Sequence, residues 1–187
     1  MNKKIISPRV ITLVGLCIAL NIVGSNLALM LKLPIYLDTI GTILSAALLG
    51  PLGGMITGLL TGTFVGLTTD MISLYYIPVQ LVIGLVAGLL YRRILANDVK
   101  NVWWVAFLIS VPGTVFSTAI TYYLFHGVTS SGSNILVQIL AGIGVNKFLA
   151  ILLVQVITDY CDRLVGVYTV VVLFNLLKNK FPVKLSK

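Results

Sequence analysis

The stretch YLDTIGTILSAALLGPLGGMITGLLTGTFVGL, residues 36–67, decides the fold of this chain. It contains one charged residue, Asp38, and its two apolar runs meet at Gly50-Pro51, a pair typical of a turn. The runs are continuous and do not alternate with polar residues, which favours helices over strands. Because backbone groups find no water in hydrocarbon, apolar runs of this kind cross a membrane as hydrogen-bonded helices. The stretch therefore predicts two membrane helices, at about 36–49 and 52–67.

The composition extends this prediction to the whole chain. Of the 187 residues, 58% are hydrophobic and 10% are charged, and the mean hydropathy is +1.07. Soluble domains carry about a quarter charged residues. Further apolar runs at 10–31, 74–91, 103–125 and 160–177 have about the length that crosses 30 Å of hydrocarbon. We expect an all-α membrane protein with six transmembrane helices, forming a single integral membrane domain over residues 1–187.

The segment 135–157 is apolar enough to span, although Gly142, Gly144 and Asn146 interrupt it. If it crossed, the last helix would end outside and would take the C-terminal lysines to the wrong face. We therefore predict a helical, non-spanning segment on the outer side, made of two short helical pieces before the last helix. Seven spans is the alternative.

The charges are sorted by side in the six-span arrangement. Ten of the 13 Lys and Arg lie on one face, and Lys32, Lys147 and Arg163 lie on the other with four of the five Asp. Cytoplasmic loops of membrane proteins carry this excess of cations, so both termini are expected to be cytoplasmic. The cations stand beside apolar spans, which explains the net charge of +8 without a nucleic-acid partner.

Several kinds of chemistry find no support in the sequence. There is no nucleotide-binding GxxxxGK[ST] loop and no GxSxG motif, there is no glutamate, and His126 is the single histidine. Cys17 and Cys161 have no metal-ligand spacing and are expected to be inert thiols. We therefore expect no enzyme activity, no catalytic residue, no metal and no cofactor.

The outward ends of the predicted helices gather polar and aromatic residues instead. Ionisable groups in or near membrane helices are costly and are candidate functional residues for that reason, and tyrosines offer a flat apolar face with a hydroxyl. The charges of this cluster nearly balance, which argues against a strongly anionic substrate. Asp38 is also placed to interact with the start of helix 2. The candidate substrate contacts are Tyr36, Asp38, Tyr75, Tyr76, Gln80, Tyr122, Asn134, Asn146, Lys147, Asp159, Asp162 and Arg163.

Small residues form two patches. Glycines recur every fourth residue from Gly50 to Gly66, which keeps them on one stripe of a helix and lets another backbone approach closely. Packing within the monomer and contact with a partner are both open for this stripe, which includes Gly54 and Gly58. Gly15 and Ala19 form a second patch on the inner half of helix 1, better placed to meet a partner at the cytoplasmic face.

Three motifs give the chain a resemblance: residues 36–51, YLDTIGTILSAALLGP; residues 127–132, GVTSSG; and residues 162–167, DRLVGV. They resemble the riboflavin-transporter-like branch of the substrate-binding S components of energy-coupling factor (ECF) transporters. That branch usually has Asp-Lys where this chain has Asp162-Arg163, which keeps the charge and changes the donor geometry.

The resemblance implies capture of a nutrient at the outer face of a bacterial plasma membrane. It also implies docking through small residues, here Gly15 and Ala19 with Gly54 and Gly58, onto a membrane coupling subunit driven by two ATPases. The nutrient would be a nucleoside or a vitamin such as riboflavin or pyridoxine. One alternative is a pantothenate-specific component, if Lys147 or Arg163 is unpaired in the site. The other is a non-transporting membrane scaffold.

Overall fold

A computed structural model describes residues 7–90 and 101–177, and in these ranges every regular element is a helix. The helices are α1 Pro8–Met30, α2 Ile40–Leu49, α3 Pro51–Thr68, α4 Ile72–Tyr75, α5 Ile77–Leu89, α6 Val102–Tyr123, α7 Ser133–Gly142 and α8 Lys147–Leu177. The predicted all-α class is confirmed. Residues 1–6, 91–100 and 178–187 lie outside the described residues, and they hold most of the predicted cytoplasmic cations.

Three helices are long and apolar enough to cross a membrane: α1, α3 and α6. The helices α2, α5 and α7 are apolar but shorter. The last helix, α8, has 31 residues and is about 46 Å long at 1.5 Å per residue, more than the thickness of the hydrocarbon layer. The number of spans and the side on which the termini lie stay predictions.

The short helix α2 lies at the centre of the molecule. Seven consecutive residues, 41–47, are buried, and α2 packs against α1, α3, α5 and α8. A helix that is apolar on every side is expected to be enclosed by its neighbours. Its Ile43 and Ala46 join Ile83 of α5 and Ile109 of α6 in the main apolar core.

The glycine stripe of α3 packs against α5. A Cβ added to Gly54 would lie 2.9 Å from the Cα of Gly84, and one added to Gly58 would lie 3.0 Å from the carbonyl oxygen of Gln80. Both contacts are shorter than real Cβ atoms tolerate without a shift, so the two helices meet backbone to backbone. This placement favours packing within the monomer. Gly54 and Gly58 are covered by α5 and are not available to a partner in this conformation.

The second helix begins at Ile40, four residues later than predicted. Residues 31–39 form a non-helical connector in which Lys32 and Leu37 have positive φ angles of 48° and 53°. The backbone N–H groups of Tyr36 and Leu37 donate to the carboxylate of Asp162 on α8 instead of entering a helical turn. Asp38 therefore precedes the helix, and no side-chain hydrogen bond caps the start of α2.

The last helix begins at Lys147, thirteen residues before the predicted start. The predicted pair of short outer helices is therefore wrong: α7 is one short helix, and the second piece is the first part of α8. Gly144, with φ 92°, follows α7, and the side chain of Asn146 accepts a hydrogen bond from the N–H of Phe148 at 2.9 Å. This contact starts α8 at 147. The helix α7 is about 15 Å long, too short to span alone, and packs back onto α8.

Candidate functional site

A cavity opens at the end of the molecule where α1 and α3 finish and α5 begins. Its walls come from α1, the connector 31–39, α3, α4, α5, α6, α8 and the loop 127–132. The volume is about 870 Å³ including the open mouth. Small-molecule sites are usually apolar with a few placed polar groups, and this lining has the same character. Ala28, Leu29, Val65, Val79 and Ile83 supply much of the apolar wall.

Asp162 is buried behind the cavity and is saturated with hydrogen bonds. Its Oδ1 accepts the N–H groups of Tyr36 at 3.1 Å and Leu37 at 2.7 Å. Its Oδ2 accepts the hydroxyl of Thr39 at 3.4 Å and pairs with the guanidinium of Arg163. Arg163 also donates to Thr39. This carboxylate therefore fastens the connector to α8.

Asp159 lies one turn earlier on α8 and lines the cavity. Its Oδ2 accepts the hydroxyls of Thr114 and Ser117 of α6, each at 2.9 Å. Its Oδ1 accepts no hydrogen bond from the described residues. This oxygen is not fully enclosed by protein. The two hydroxyls thus hold the carboxylate in place while one oxygen remains open toward the cavity.

Asp38 approaches the cavity from the connector. Its Oδ2 accepts the Nε2 hydrogen of Gln80 at 2.7 Å, and Gln80 in turn accepts the hydroxyl of Thr42. Asn21 donates to Thr42 at 2.9 Å and accepts the N–H of Gly41 at 2.6 Å. Burial, and then the charge of Asp162, raise the pKa of Asp38 to about 6, although Arg163 and Gln80 act in the opposite direction.

Two tyrosines line the cavity with their hydroxyls tied to protein groups. The hydroxyl of Tyr36 lies 3.3 Å from that of Ser133, and the hydroxyl of Tyr76 pairs with Thr121, which also accepts from Gln155. Burial raises the pKa of Tyr36 to about 12 and the pKa of Tyr76 still further, so both stay neutral. They offer ring surface to a ligand.

The loop 127–132 covers one side of the cavity. The hydroxyl of Ser130 donates to Oδ2 of Asp70 at 2.6 Å, which joins the loop to the turn between α3 and α4. A Cβ at Gly132 would collide with the carbonyl of Lys32, so this end of the loop lies tightly on the connector. The polar resemblance motif at 127–132 therefore belongs to the wall of the cavity.

Six of the twelve predicted contacts line the cavity: Tyr36, Asp38, Tyr76, Gln80, Asp159 and Arg163. Asp162 lies directly behind them. The remaining five are elsewhere. Tyr75 is 51% exposed and packs edge-on against Phe125, and Tyr122 packs against Phe148.

The other three lie between residues 134 and 147, in or next to the outer segment. Asn134 accepts a hydrogen bond from Gln138, Asn146 starts α8, and Lys147 is exposed. Because α8 is continuous, Lys147 stands 12 residues, or about 18 Å, from Asp159 along the helix. The predicted substrate contacts at these three positions are not brought to the cavity.

Several polar residues at the site were missed. On α6, Thr114, Ser117 and Thr118 are missing from the predicted residues; the second and third follow the first by 3 and 4 residues and form one buried polar face toward α8. This periodicity is visible in the sequence and could have identified them. Asn21 and Ser25, one turn apart on α1, gave a similar signal.

The cavity carries a different charge from the one predicted. Neither Lys32 nor Lys147 lines it, so the predicted balance of charge is wrong for this site. Asp38, Asp70 and Asp159 line the cavity with Arg163, and Arg163 is paired with Asp162. Among the described residues, no group of three side chains is arranged to hold a metal ion.

Comparison with known proteins gives one finding and two negative results. The family described as ECF transporter, substrate-specific component, matches residues 9–183. No curated protein and no solved structure matches the chain.

Proposed function

This chain belongs to the substrate-specific components of ECF transporters, and we propose that it captures a small water-soluble nutrient at the outer face of the membrane. In this proposal it delivers the nutrient inward while docked on a membrane coupling subunit with two ATPase subunits. Members of the family are binding subunits of transporters and not enzymes. The observation that carries the proposal is the cavity between α1, α3, α5 and α8, with its two tyrosines and its carboxylates.

The position of the cavity supports an outer location. It lies where α1 and α3 end, far from Arg9 at the start of α1. In the six-span arrangement that end faces away from the ten predicted cytoplasmic cations. We therefore propose six spans, both termini in the cytoplasm, and a bacterial plasma membrane, in which α7 and the first turns of α8 stand above the bilayer.

The first helix supplies the proposed docking face. Gly15 and Ala19 are exposed, and a Cβ added at Gly15 would meet no atom within 4 Å. A flat patch of small residues allows a partner helix to approach closely. Since α5 covers Gly54 and Gly58, the proposed contact consists of Gly15 and Ala19 alone.

A comparison of uptake with binding tests the proposal. Gly15→Leu and Ala19→Leu should abolish uptake in cells that hold the coupling module, while the purified variants bind substrate as the unmodified chain does. Ala119→Leu, the same enlargement at an exposed position of α6, is the matched control and should transport normally.

Loss of substrate binding in either α1 variant would show that this face belongs to the binding fold and not to docking. A purified chain that binds no solute at all would support the scaffold alternative. The pantothenate alternative required a free Lys147 or Arg163 in the site, and the cavity offers neither.

A further inference from the structure

The ionisable groups of the cavity are unequal in number. Three carboxylates, those of Asp38, Asp70 and Asp159, line the cavity, and a fourth, that of Asp162, lies behind it and pairs with the single guanidinium, that of Arg163. Asp159, Asp162 and Arg163 are each at least 97% buried. Because buried charges are costly unless paired, an excess of buried carboxylate is stabilised by a positive partner, by many hydrogen bonds or by a bound proton.

Arg163 is already paired with a protein carboxylate. Its Nη1 donates to Asp162 and to Thr39. Its Nε has no partner and is enclosed by protein, and its Nη2 makes no hydrogen bond to the described residues. The charge of Arg163 is therefore compensated by Asp162, and the remaining carboxylates leave the cavity with an excess of negative charge.

Asp159 is the reverse case. Thr114 and Ser117 donate to one oxygen only, and Oδ1 is an unpartnered acceptor on a side chain that is 97% buried and lines the cavity. Two hydroxyl bonds fix its direction before any ligand arrives. An anchored carboxylate with one open oxygen is suited to accept a hydrogen bond from a cationic nitrogen.

The aromatic rings that line the cavity are also suited to a cationic ligand. The rings of Tyr36 and Tyr76 line the same cavity, and their hydroxyls are occupied by Ser133 and Thr121. A cation near the face of an aromatic ring is attracted by the negative face of the ring, more strongly when the cation is desolvated.

Resting on the proposed function, we propose that the substrate is a small organic cation built on a ring, bound with its positive nitrogen at Oδ1 of Asp159. Asp38 supplies a second carboxylate in the same cavity, and the tyrosine rings cover the flat part of the molecule. The sequence argued only against a strongly anionic substrate, because its lysines seemed to balance the aspartates; a cation is favoured here because those lysines do not line the cavity.

The test uses two matched series of probes on the purified chain in lipid nanodiscs at pH 7.5. One series is 1-methylnicotinamide, nicotinamide and nicotinate; the other is pyridoxamine, pyridoxine and 4-pyridoxate. In each series the ring is kept and the charge changes from positive through neutral to negative. Affinity is measured by titration calorimetry, and native mass spectrometry identifies any small molecule that the chain retains on purification.

The proposal expects the cation of at least one series to bind at least tenfold more tightly than its neutral and anionic counterparts. Asp159→Asn should bring this ratio close to one. Cys161→Ser, on the exposed side of the same helix, should leave it unchanged. A retained molecule that carries a positive charge would equally support the proposal.

Tighter binding of a neutral or anionic probe, or a retained molecule without positive charge, would overturn the cation and leave the proposed function standing. If no probe binds and no molecule is retained by folded protein, the proposed function itself fails together with the inference.

Discussion

Two buried aspartates one turn apart on α8 occupy different environments. Asp162 is 1% exposed and receives hydrogen bonds from two backbone N–H groups, a threonine and a guanidinium. Asp159 is 3% exposed and receives two hydroxyl bonds on one oxygen, while the other oxygen is open. The two residues are of the same type, lie on the same helix and are buried to a similar extent, but their hydrogen-bond partners differ.

This difference separates a structural role from a binding role. Asp162 joins α8 to the connector 31–39, which precedes it by more than 120 residues, and has no free acceptor for a ligand. Asp159 is anchored by α6 and keeps its free acceptor for the cavity. Burial and charge alone therefore do not identify the ligand contact. The ligand contact is identified by whether the carboxylate still has an oxygen without a hydrogen bond from the protein.

The largest effect is expected from Asp162→Asn. The substitution removes the carboxylate that is paired with Arg163 and weakens the bonds to Tyr36 and Leu37. Removing one partner of a buried ion pair costs about 3–5 kcal/mol of unfolding free energy. Unfolding in mixed micelles measures this loss.

A double-mutant cycle with Arg163→Met is the control for that measurement. Because the double variant removes both charges, it should be less destabilised than the sum of the single variants. A loss below about 1 kcal/mol in Asp162→Asn would show that the connector is held by other contacts.

Asp159→Asn should separate stability from binding. Asparagine keeps an oxygen for Thr114 and Ser117 and removes a charge that has no paired cation, so the ligand-free stability should change by no more than about 1 kcal/mol. Substrate affinity should fall by about 2 kcal/mol or more, roughly 30-fold, because a charged contact in a desolvated site is lost. If stability falls as far as in Asp162→Asn, the contrast between the two residues is wrong.

The sequence predicted the fold class and half of the site, for physical reasons that can be named. Membrane helices follow from long apolar runs, and Tyr36, Asp38, Gln80 and Asp159 stand out because polar groups are costly in such runs. Asp162 stood out for the same reason. Its saturation was invisible, because it depends on a connector that reaches it across the fold.

Most of the wrong predictions concern residues 133–159, in and around the outer segment. Gly142, Gly144 and Asn146 were interpreted as repeated interruptions, and Lys147 was predicted as a substrate contact together with Asp159 and Arg163. In the structure the interruption is a single turn, after which α8 is continuous and takes Lys147 away from the cavity. A helix boundary wrong by thirteen residues thus accounts for Lys147, one of the two lysines in the predicted charge balance that do not line the cavity.

Acidification should weaken substrate binding through Asp38. Its pKa is raised to about 6 by burial first and then by Asp162, so the carboxylate is ionised above pH 6 and protonated below it. Arg163 and Gln80 act against this shift, and Asp159, Tyr36 and Tyr76 line the same cavity. The affinity for 1-methylnicotinamide, whose charge does not change with pH, should fall below pH 6, by at most tenfold per pH unit.

The variant Asp38→Asn should bind this probe with an affinity that is flat between pH 5 and pH 7. His126→Gln, at a residue that does not line the cavity, is the control and should keep the pH dependence. If Asp38→Asn keeps the pH dependence, the group that weakens binding on acidification is not Asp38.

The smallest effect is expected at Asp70, an aspartate at the mouth of the cavity whose contacts are partly exposed. Ser130 donates to Asp70 at 2.6 Å, and this bond fastens the loop 127–132 across the mouth. Ser130→Ala removes the bond, which is worth about 0.5–1.5 kcal/mol and less where solvent competes. Substrate should therefore leave about two- to fivefold faster in stopped-flow measurements, while the association rate and the unfolding free energy stay unchanged.

Ser130→Thr keeps a hydroxyl at the same position and should restore slow release. Equal release rates for Ser130→Ala and the unmodified chain would mean that the bond to Ser130 does not retain the loop. Asp70 would then be a third case beside Asp159 and Asp162: a carboxylate that lines the cavity and accepts hydrogen bonds from Ile72 and Ser73 at the start of α4, yet does not retain the ligand.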